Sequence, residues 1–553
     1  MFANLAQMHR ATCEKFGPRI ALRYKENGLY RDLSWGAYRS QADAAAAGLI
    51  EMGVEPGDRV SLFSPNRYEW MIADRAMQSS GAVNVPLHAP LAPKQVEYQV
   101  GHSEARGIFV SDQAQADKVF EVLSGLPNLE FVISFDRIEA PSGLKALTWE
   151  GLKHRGRQSG EAGTAEISKR EQQVGPDDLA TIIYTSGTTG NPKGVMLTNG
   201  NLVSNTINTL QITDIGPDDV LLSWLPYSHI YARTVDLYVT TLAGMTVALG
   251  ENVDALLQNL QETQPTWVTS VPRFYEKVWG HVEQLPADHR KVALKKLFGR
   301  RIKQLSSGGA PLPKHVCEGF FEAGLPLLEG YGLTETSPVV SFNNLDNCKI
   351  GSVGKAIPEV DFKIAEDGEI LTRGPQVMRG YWKNEEATAE AIVDGWFHTG
   401  DVGFLDDEGY LTITDRKKDL IITSGGKNIA PSELERILVT DVFIDQAVVY
   451  GDGRNFVSAV LVPSFPHLEL RAKQLGVEID IQDEFIRNPE LIEFFNERVE
   501  HVMESVSNPE RVKKFLLLGR PFTLESDELT ATLKVRRRHI IDKYEQQLAG
   551  LYD

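Results

Sequence analysis

The sequence predicts an α/β protein. Apolar runs of strand length alternate with helical patterns early in the chain, the same alternation returns between Leu179 and about Glu329, and no fixed-period repeat competes with it. In chain order, Ser34 is placed to cap a helix that takes in Ala44 to Ala47 and ends near Gly53. Arg59 to Phe63 reads as a strand, Tyr68 to Met77 as a helix, Ala82 to Leu87 as a strand, Gln95 to Val100 as a helix and Gly107 to Val110 as a short strand. This order predicts a parallel sheet covered by helices. Past Gly351 the texture becomes β-rich: Val360 to Ala365 and Glu369 to Thr372 flank the turn Glu366-Asp367-Gly368, and Leu411 to Thr414 follows Asp407-Glu408-Gly409. Beyond about Asp415 helix and strand mix, with helices expected over Ser432 to Leu438 and Asn488 to Met503 and strands over Gln446 to Tyr450 and Val457 to Val462. The charged run Asp415 to Asp419 separates two strand-like segments and marks a domain boundary.

Composition narrows the function classes. At 553 residues the chain has room for roughly three to four domain-sized units. Its hydrophobic fraction of 42% and charged fraction of 24% are those of an ordinary globular chain, so disorder is not expected. The net charge of −18 argues against a nucleic-acid binder and against adhesion to anionic lipid through bulk charge. Cys13, Cys317 and Cys348 show neither metal-binding spacing nor an even disulfide framework, which suggests a reducing compartment. The charged N-terminal segment does not read as a signal peptide, and the longest uncharged apolar-rich run, Leu237 to Gly250, falls short of the ~20 residues that span a bilayer. A cytoplasmic protein is the expectation.

The most informative stretch is Thr181 to Met196. An apolar run feeds Thr185, Ser186, Gly187, Thr188, Thr189 and Gly190, followed by Pro192, Lys193 and Gly194. Glycines let backbone N–H groups approach an anion, hydroxyls add donors, and the lysine adds charge, which together suit a polyphosphate. Pro192, and Gly194 after Lys193, break the Walker A pattern, so P-loop chemistry lacks its signature.

Tyr184 to Gly194 resembles the signature of the adenylate-forming superfamily, which includes acyl-CoA synthetases, luciferases and peptide-synthetase adenylation domains. Further resemblances follow in order: Leu225 to His229, Ser306 to Leu312, Glu329 to Thr336, Trp396 to Asp401, Asp415 to Asp419, Ser424 to Asn428 and Leu533 to Val535. The resemblance implies a large N-terminal domain, about 1–415, of two α/β sheet subdomains plus a β-rich subdomain, and a small mobile α+β C-terminal lid, about 416–553. It implies two half-reactions. A carboxylate attacks the α-phosphorus of ATP to give acyl-AMP and pyrophosphate, and a thiol, that of coenzyme A, then displaces AMP. ATP, Mg²⁺ and coenzyme A are the implied cofactor and co-substrates. Fatty acid is the third small-molecule partner, compatible with transient membrane contact; nucleic acid is not a partner, and oligomeric state is left open.

By the same resemblance, Thr185 to Lys193 hold the β- and γ-phosphates, with Thr185 also near the metal. Thr334 contacts the α-phosphate and Glu335 ligates Mg²⁺, a hard cation suited to one carboxylate plus phosphate oxygens. Alone, Glu335 would read as a solvated helix-start glutamate. Gly308, Gly309, Ala310 and Pro311 line the base and acyl group. Glu329, Gly330, Tyr331 and Gly332 belong to the nucleotide site, with Tyr331 stacked on adenine. Asp401 and Arg416 hold the ribose hydroxyls. Lys534 bridges carboxylate and α-phosphate, although its context is Thr532-Leu533 where many relatives have Ser-Gly. His229 is expected beside the reacting carboxylate, as a positioning group; a lone histidine is otherwise more often structural. Arg233 stands where some long-chain relatives carry a gating tryptophan. Lys418 is the expected hinge, and Gly425 and Gly426 face the coenzyme A channel. Leu328 to Glu335, Ile444 to Val449 and Tyr450 to Arg454 resemble the long-chain branch. Transfer of the acyl group to a carrier protein, a non-fatty acid substrate and a silent nucleotide-binding protein remain open alternatives.

Overall fold

The structure is a computed structural model that describes residues 2–185, 191–252, 254–424, 428–504, 506–523, 526–529 and 535–552. Its backbone divides into two compact units. The first comprises Met1–Tyr275, His281–Lys363 and Leu371–His398; the second comprises Glu276–Gly280, Ile364–Ile370 and Thr399–Asp553.

The first unit carries two large mixed sheets. One has eight strands in the spatial order Gly380–Tyr381, Lys193–Thr198, Leu179–Thr185, Val83–Leu87, Arg59–Phe63, Gly107–Val110, Phe131–Ser134 and Lys145–Thr148. Its six strands from Leu179–Thr185 to Lys145–Thr148 run parallel, as the early alternation predicts. Lys193–Thr198 and Gly380–Tyr381 add to one edge antiparallel. The antiparallel edge lies outside the early segment whose alternation predicts the parallel sheet. Lys193–Thr198 returns directly beside Leu179–Thr185 as a hairpin, which a connection of only a few residues permits only in antiparallel form.

The other sheet has nine strands, with Val220–Ser223, Trp267–Ser270, Gln304–Ser307 and Leu327–Gly332 parallel at its centre. Its far edge is an N-terminal hairpin, Ile20–Glu26 with Leu29–Ser34, which pairs with Thr246–Leu249 some 220 residues later in the chain. Nothing in the local pattern of residues 20–34 announces that partner.

Ser34 caps the helix Trp35–Glu51 by accepting from Ala37 N. The small residues of that helix allow very close helix packing: a Cβ on Gly48 would lie 2.4 Å from Leu152 O, and one on Gly156 would lie within 2 Å of Ala44 O. The helix Tyr68–Ser80 is buried from Glu69 to Ser80, so its polar residues Asp74, Arg75 and Gln78 must find partners inside the protein.

The second unit contains, from Thr399 onward, the strand Trp396–Leu405 paired antiparallel with Leu411–Arg416, in which Asp401 faces Arg416. It also holds a three-stranded sheet, Ile444–Tyr450, Val457–Pro463 and Val512–Leu517. Helices Pro431–Leu438, Phe465–Leu475 and Pro489–Val502 supply Leu434, Leu468 and Phe495 to its core. The turn at Glu366-Asp367-Gly368 connects Asp361–Ile364 to Glu369–Arg373, as read from the sequence, with Ala365 N donating to Glu369 O. All three cysteines are free thiols. Among the described residues no helix is long and apolar enough to cross a membrane.

Candidate active site

The loops that follow the parallel strands gather the sequence motifs, as expected at the carboxyl ends of an α/β sheet. Leu225 to His229 follow Val220–Ser223, and Gly308 to Pro311 follow Gln304–Ser307. Glu329 lies on Leu327–Gly332 directly beside Ser307. The Gly308 loop and the Tyr331 segment thus leave adjacent strands. Gly308 is also pressed by Tyr231, whose ring would stand 3.2 Å from an added Cβ. That contact links the His229 turn to the Gly308 loop through a residue the sequence did not single out.

The antiparallel strands Leu179–Thr185 and Lys193–Thr198 align Thr185 with Lys193. Next to it, Tyr381 pairs with Val195. Tyr381 joins two expected site residues: its hydroxyl donates to Glu335 Oε1 at 2.9 Å, and Lys193 Nζ stands 4.9 Å from its ring centroid. Burial and the neighbouring Glu335 carboxylate hold the Tyr381 hydroxyl protonated, well above its ordinary range, so it remains a donor. Met378 N donates to Glu335 O and fixes the backbone of the short turn Thr334–Thr336. Tyr381 lies 46 residues from Glu335 and outside every recognised motif, so only strand pairing could reveal it.

Glu329 is buried and its carboxyl is pushed up to about 7, mainly by loss of water; it accepts backbone hydrogen bonds from Leu312 and Gly351. Its contacts tie down the loop after Pro311. His229 lies at the start of Ile230–Ala232, where Nδ1 accepts from Tyr231 N at 3.2 Å. Its neighbour Ser228 meets His88 Nδ1 at 2.7 Å, and burial pushes His88 down to about 4, so this second histidine is neutral.

Within the second unit, Arg416 Nε lies 2.9 Å from Asp401 Oδ1, so the two expected ribose-binding residues form one ion pair. Lys418 is exposed between two anchored neighbours. Lys417 pairs with Asp367 at 2.6 Å and Glu369 at 2.9 Å, and Asp419 pairs with Arg537 at 2.9 Å. Arg537 also grips Glu435 at 2.6 Å, so this member of the basic Arg536 to Arg538 run is a structural tie. Ser186, Gly187, Thr188, Thr189, Gly190, Gly425, Gly426 and Lys534 lie outside the described residues.

The profile of the AMP-binding enzyme family matches residues 9–382, and that of the AMP-binding enzyme C-terminal domain matches 418–553. The chain belongs to this family. It is 36% identical to the long-chain-fatty-acid–CoA ligase FadD15 of Mycobacterium tuberculosis, over 95% of this chain and 93% of that protein. It is 31% identical to the peroxisomal long chain acyl-CoA synthetase 6 of Arabidopsis thaliana, over 96% of this chain and 84% of that one. Among solved structures, ATP-bound MatB from Rhodopseudomonas palustris matches with a TM-score of 0.75 at 25% identity, covering 98% of this chain and 99% of that one. The anthranilate CoA ligase AuaEII in complex with anthranoyl-AMP shares the fold alone, with a TM-score of 0.80 at 18% identity over 100% of this chain and 98% of that one. As a member of the family, the chain is a two-step enzyme of the acid–thiol ligase type.

Proposed function

We propose that this AMP-binding enzyme activates a long-chain fatty acid with ATP and transfers the acyl group to coenzyme A, releasing pyrophosphate and then AMP. The observation that carries the reading is the meeting of Lys193 and Glu335 on Tyr381. It sets a cation and a carboxylate beside the hairpin that ends at Thr185, the arrangement needed to bring ATP and a metal together. The names of the relatives support the fatty acid and coenzyme A as substrates.

In this reading the Thr185 to Lys193 loop grips the β- and γ-phosphates, Thr334 the α-phosphate, and Asp401 with Arg416 the ribose. Tyr331 and the loop Gly308 to Pro311 receive adenine, with Glu329 holding that loop in place. Catalysis of the first step is alignment plus charge neutralisation, because an anionic acid must approach an anionic triphosphate. Mg²⁺ fits the donor set: Glu335 is one hard oxygen ligand, and among the described residues no group of three or more His, Cys, Asp and Glu stands ready to enclose an ion. When bound, the ion would be held by Glu335 and would supply charge neutralisation on the phosphates. His229 orients the carboxylate, and Lys534 bridges it to the α-phosphate.

We further assign 1–415 to the nucleotide and acyl sites and 416–553 to a lid turning about Lys418, with Gly425 and Gly426 facing the thiol in the second step. The separated free thiols fit the reducing cytoplasm. The decisive test is pyrophosphate release with ATP and oleate, followed by AMP release on adding coenzyme A. Turnover of oleate with coenzyme A is expected. Turnover of only short, aryl or amino acids would overturn the substrate class, and transfer only to a carrier protein would overturn the acceptor.

A further inference from the structure

Arg233 is fully buried, yet it lies one turn after His229 and its backbone N donates to His229 O at 3.1 Å. Its guanidinium is spread over three separate elements. One nitrogen pairs with Asp74 at 2.5 Å, on the buried helix Tyr68–Ser80. Another donates to the Tyr238 hydroxyl at 2.7 Å, farther along its own π-helical segment Arg233–Val239. The third donates to Thr181 Oγ1 at 2.7 Å. Thr181 lies on Leu179–Thr185, the strand whose end opens the proposed phosphate loop, and its hydroxyl donates to Asn84 O at 2.7 Å. Asn84 Nδ2 closes the ring by donating to Asp74 Oδ1 at 2.7 Å.

A buried ion pair is seldom the most stable way to fill such a space, since apolar residues of similar volume often serve as well or better. What the guanidinium supplies that an apolar side chain cannot is direction: a planar fork with fixed donor angles. Here it fixes the backbone after His229 relative to the strand that ends in the phosphate loop.

We propose that Arg233 is a positioning residue for acyl-adenylate formation. Through Thr181 and Asp74 it sets the distance between the carboxylate side of the site, at His229, and the phosphate side, at Thr185 and Lys193. The proposal rests on the reading of Thr185 to Lys193 as the phosphate loop. A displacement of about 1 Å between reacting groups can cost on the order of a hundredfold in rate, so a scaffold bond this far from the chemistry has leverage. The same bond is not needed once acyl-AMP exists, because carboxylate and phosphate are then covalently joined.

The test is Thr181→Val, which keeps the shape of the strand residue and removes the hydroxyl that Arg233 reaches. Acid-dependent pyrophosphate release is expected to fall at least tenfold in kcat, with KM for ATP and fatty acid changed less than threefold. Thioester formation from supplied acyl-AMP should stay near the wild-type rate, and Thr181→Ser, which restores the hydroxyl, should recover pyrophosphate release. The paired variant Arg233→Met with Asp74→Asn removes both buried charges and keeps an amide oxygen to accept from Asn84 Nδ2. It should fold with a cooperative melt yet remain slow in adenylation, whereas a merely structural role would be satisfied by the neutral pair. Wild-type adenylation kcat in Thr181→Val, or in the paired variant should Thr181→Val fail to fold, overturns the proposal. Lys193→Ala in the same assay separates this failure from the failure of its premise. Impaired Lys193→Ala beside normal Thr181→Val sinks Arg233 alone, whereas unimpaired Lys193→Ala sinks the phosphate-loop reading and the proposal with it.

Discussion

Glu335 shows how one side chain takes its meaning from its neighbours. Its carboxylate accepts from the Tyr381 hydroxyl, and Lys193 lies against the same ring. Glu335→Gln keeps the shape and removes the charge. It should raise the Mg²⁺ concentration needed for half-maximal adenylation at least tenfold without lowering the melting temperature; an unchanged Mg²⁺ titration would remove Glu335 from the metal site. Tyr381→Phe deletes one hydrogen bond to a charged group, of the order of 1.5–3 kcal/mol. It should produce a smaller shift in the same direction. A second residue-scale effect concerns Asp236, which is fully buried and accepts from Ser223 Oγ at 2.7 Å and Thr269 Oγ1 at 2.5 Å. Burial pushes its carboxyl from 3.8 up to about 7. The folded protein therefore holds a proton that the unfolded chain has already released. The stabilisation is complete below about 4 and is lost as pH rises through about 7. Asp236→Asn removes the titrating group, so its melting temperature should fall less between pH 4 and 8 than that of the wild type. Parallel melting profiles for the two proteins would show that Asp236 is ionised in the fold.

At the scale of elements, the segment Asp415 to Asp419 is more than a solvated charge run. Asp415 accepts from Ser432 N and Oγ at 3.1 and 3.0 Å, and Lys417 and Asp419 are each held by ion pairs. The exposed Lys418 is left between anchored residues, where we propose the hinge. Lys418→Pro locks φ near −65° and removes a backbone donor. Acyl-AMP should form and stay bound while thioester synthesis falls at least a hundredfold. Proportionate slowing of both steps in single-turnover assays, or no slowing, would place the hinge elsewhere. The antiparallel pair Leu179–Thr185 with Lys193–Thr198 is the other element of interest, because its register aligns Thr185 with Lys193 and brings Tyr381 alongside.

At the scale of the whole molecule, a single active site has to serve two reactions in turn, which calls for an element with two arrangements. Lys534→Ala tests that arrangement. The lysine is assigned to adenylation alone, so acid-dependent pyrophosphate release should fall by two orders of magnitude or more, with thioester formation from supplied acyl-AMP within a few-fold of wild type. Equal losses in both half-reactions would mean that the C-terminal domain does not divide its labour in this way.

The sequence by itself determined the α/β class, the order of most strands and helices between Ser34 and Val110, the β-rich texture after Gly351 and the family. These features are written locally: in alternation, in Ser34 as a cap, in the Glu366-Asp367-Gly368 turn, and in motifs whose glycines, hydroxyls and charges are contiguous. Candidate site residues could be named from the sequence because their motifs are contiguous, and the segments Leu225 to His229 and Gly308 to Pro311 follow parallel strands. Tertiary structure alone decided which strands became neighbours, because pairing partners need not be close in sequence. The hairpin at residues 20–34 joins Thr246–Leu249, and Gly380–Tyr381 joins Lys193–Thr198. It alone decided the buried polar partnerships. Arg233 in sequence is a departure from a relative's tryptophan, and Asp74 is an unremarked residue of a helix; folded, they are one ion pair with 0% exposure on both sides. Periodicity reports which residues avoid water, but a buried charge is stabilised only by the direction and distance of groups that the fold brings from elsewhere.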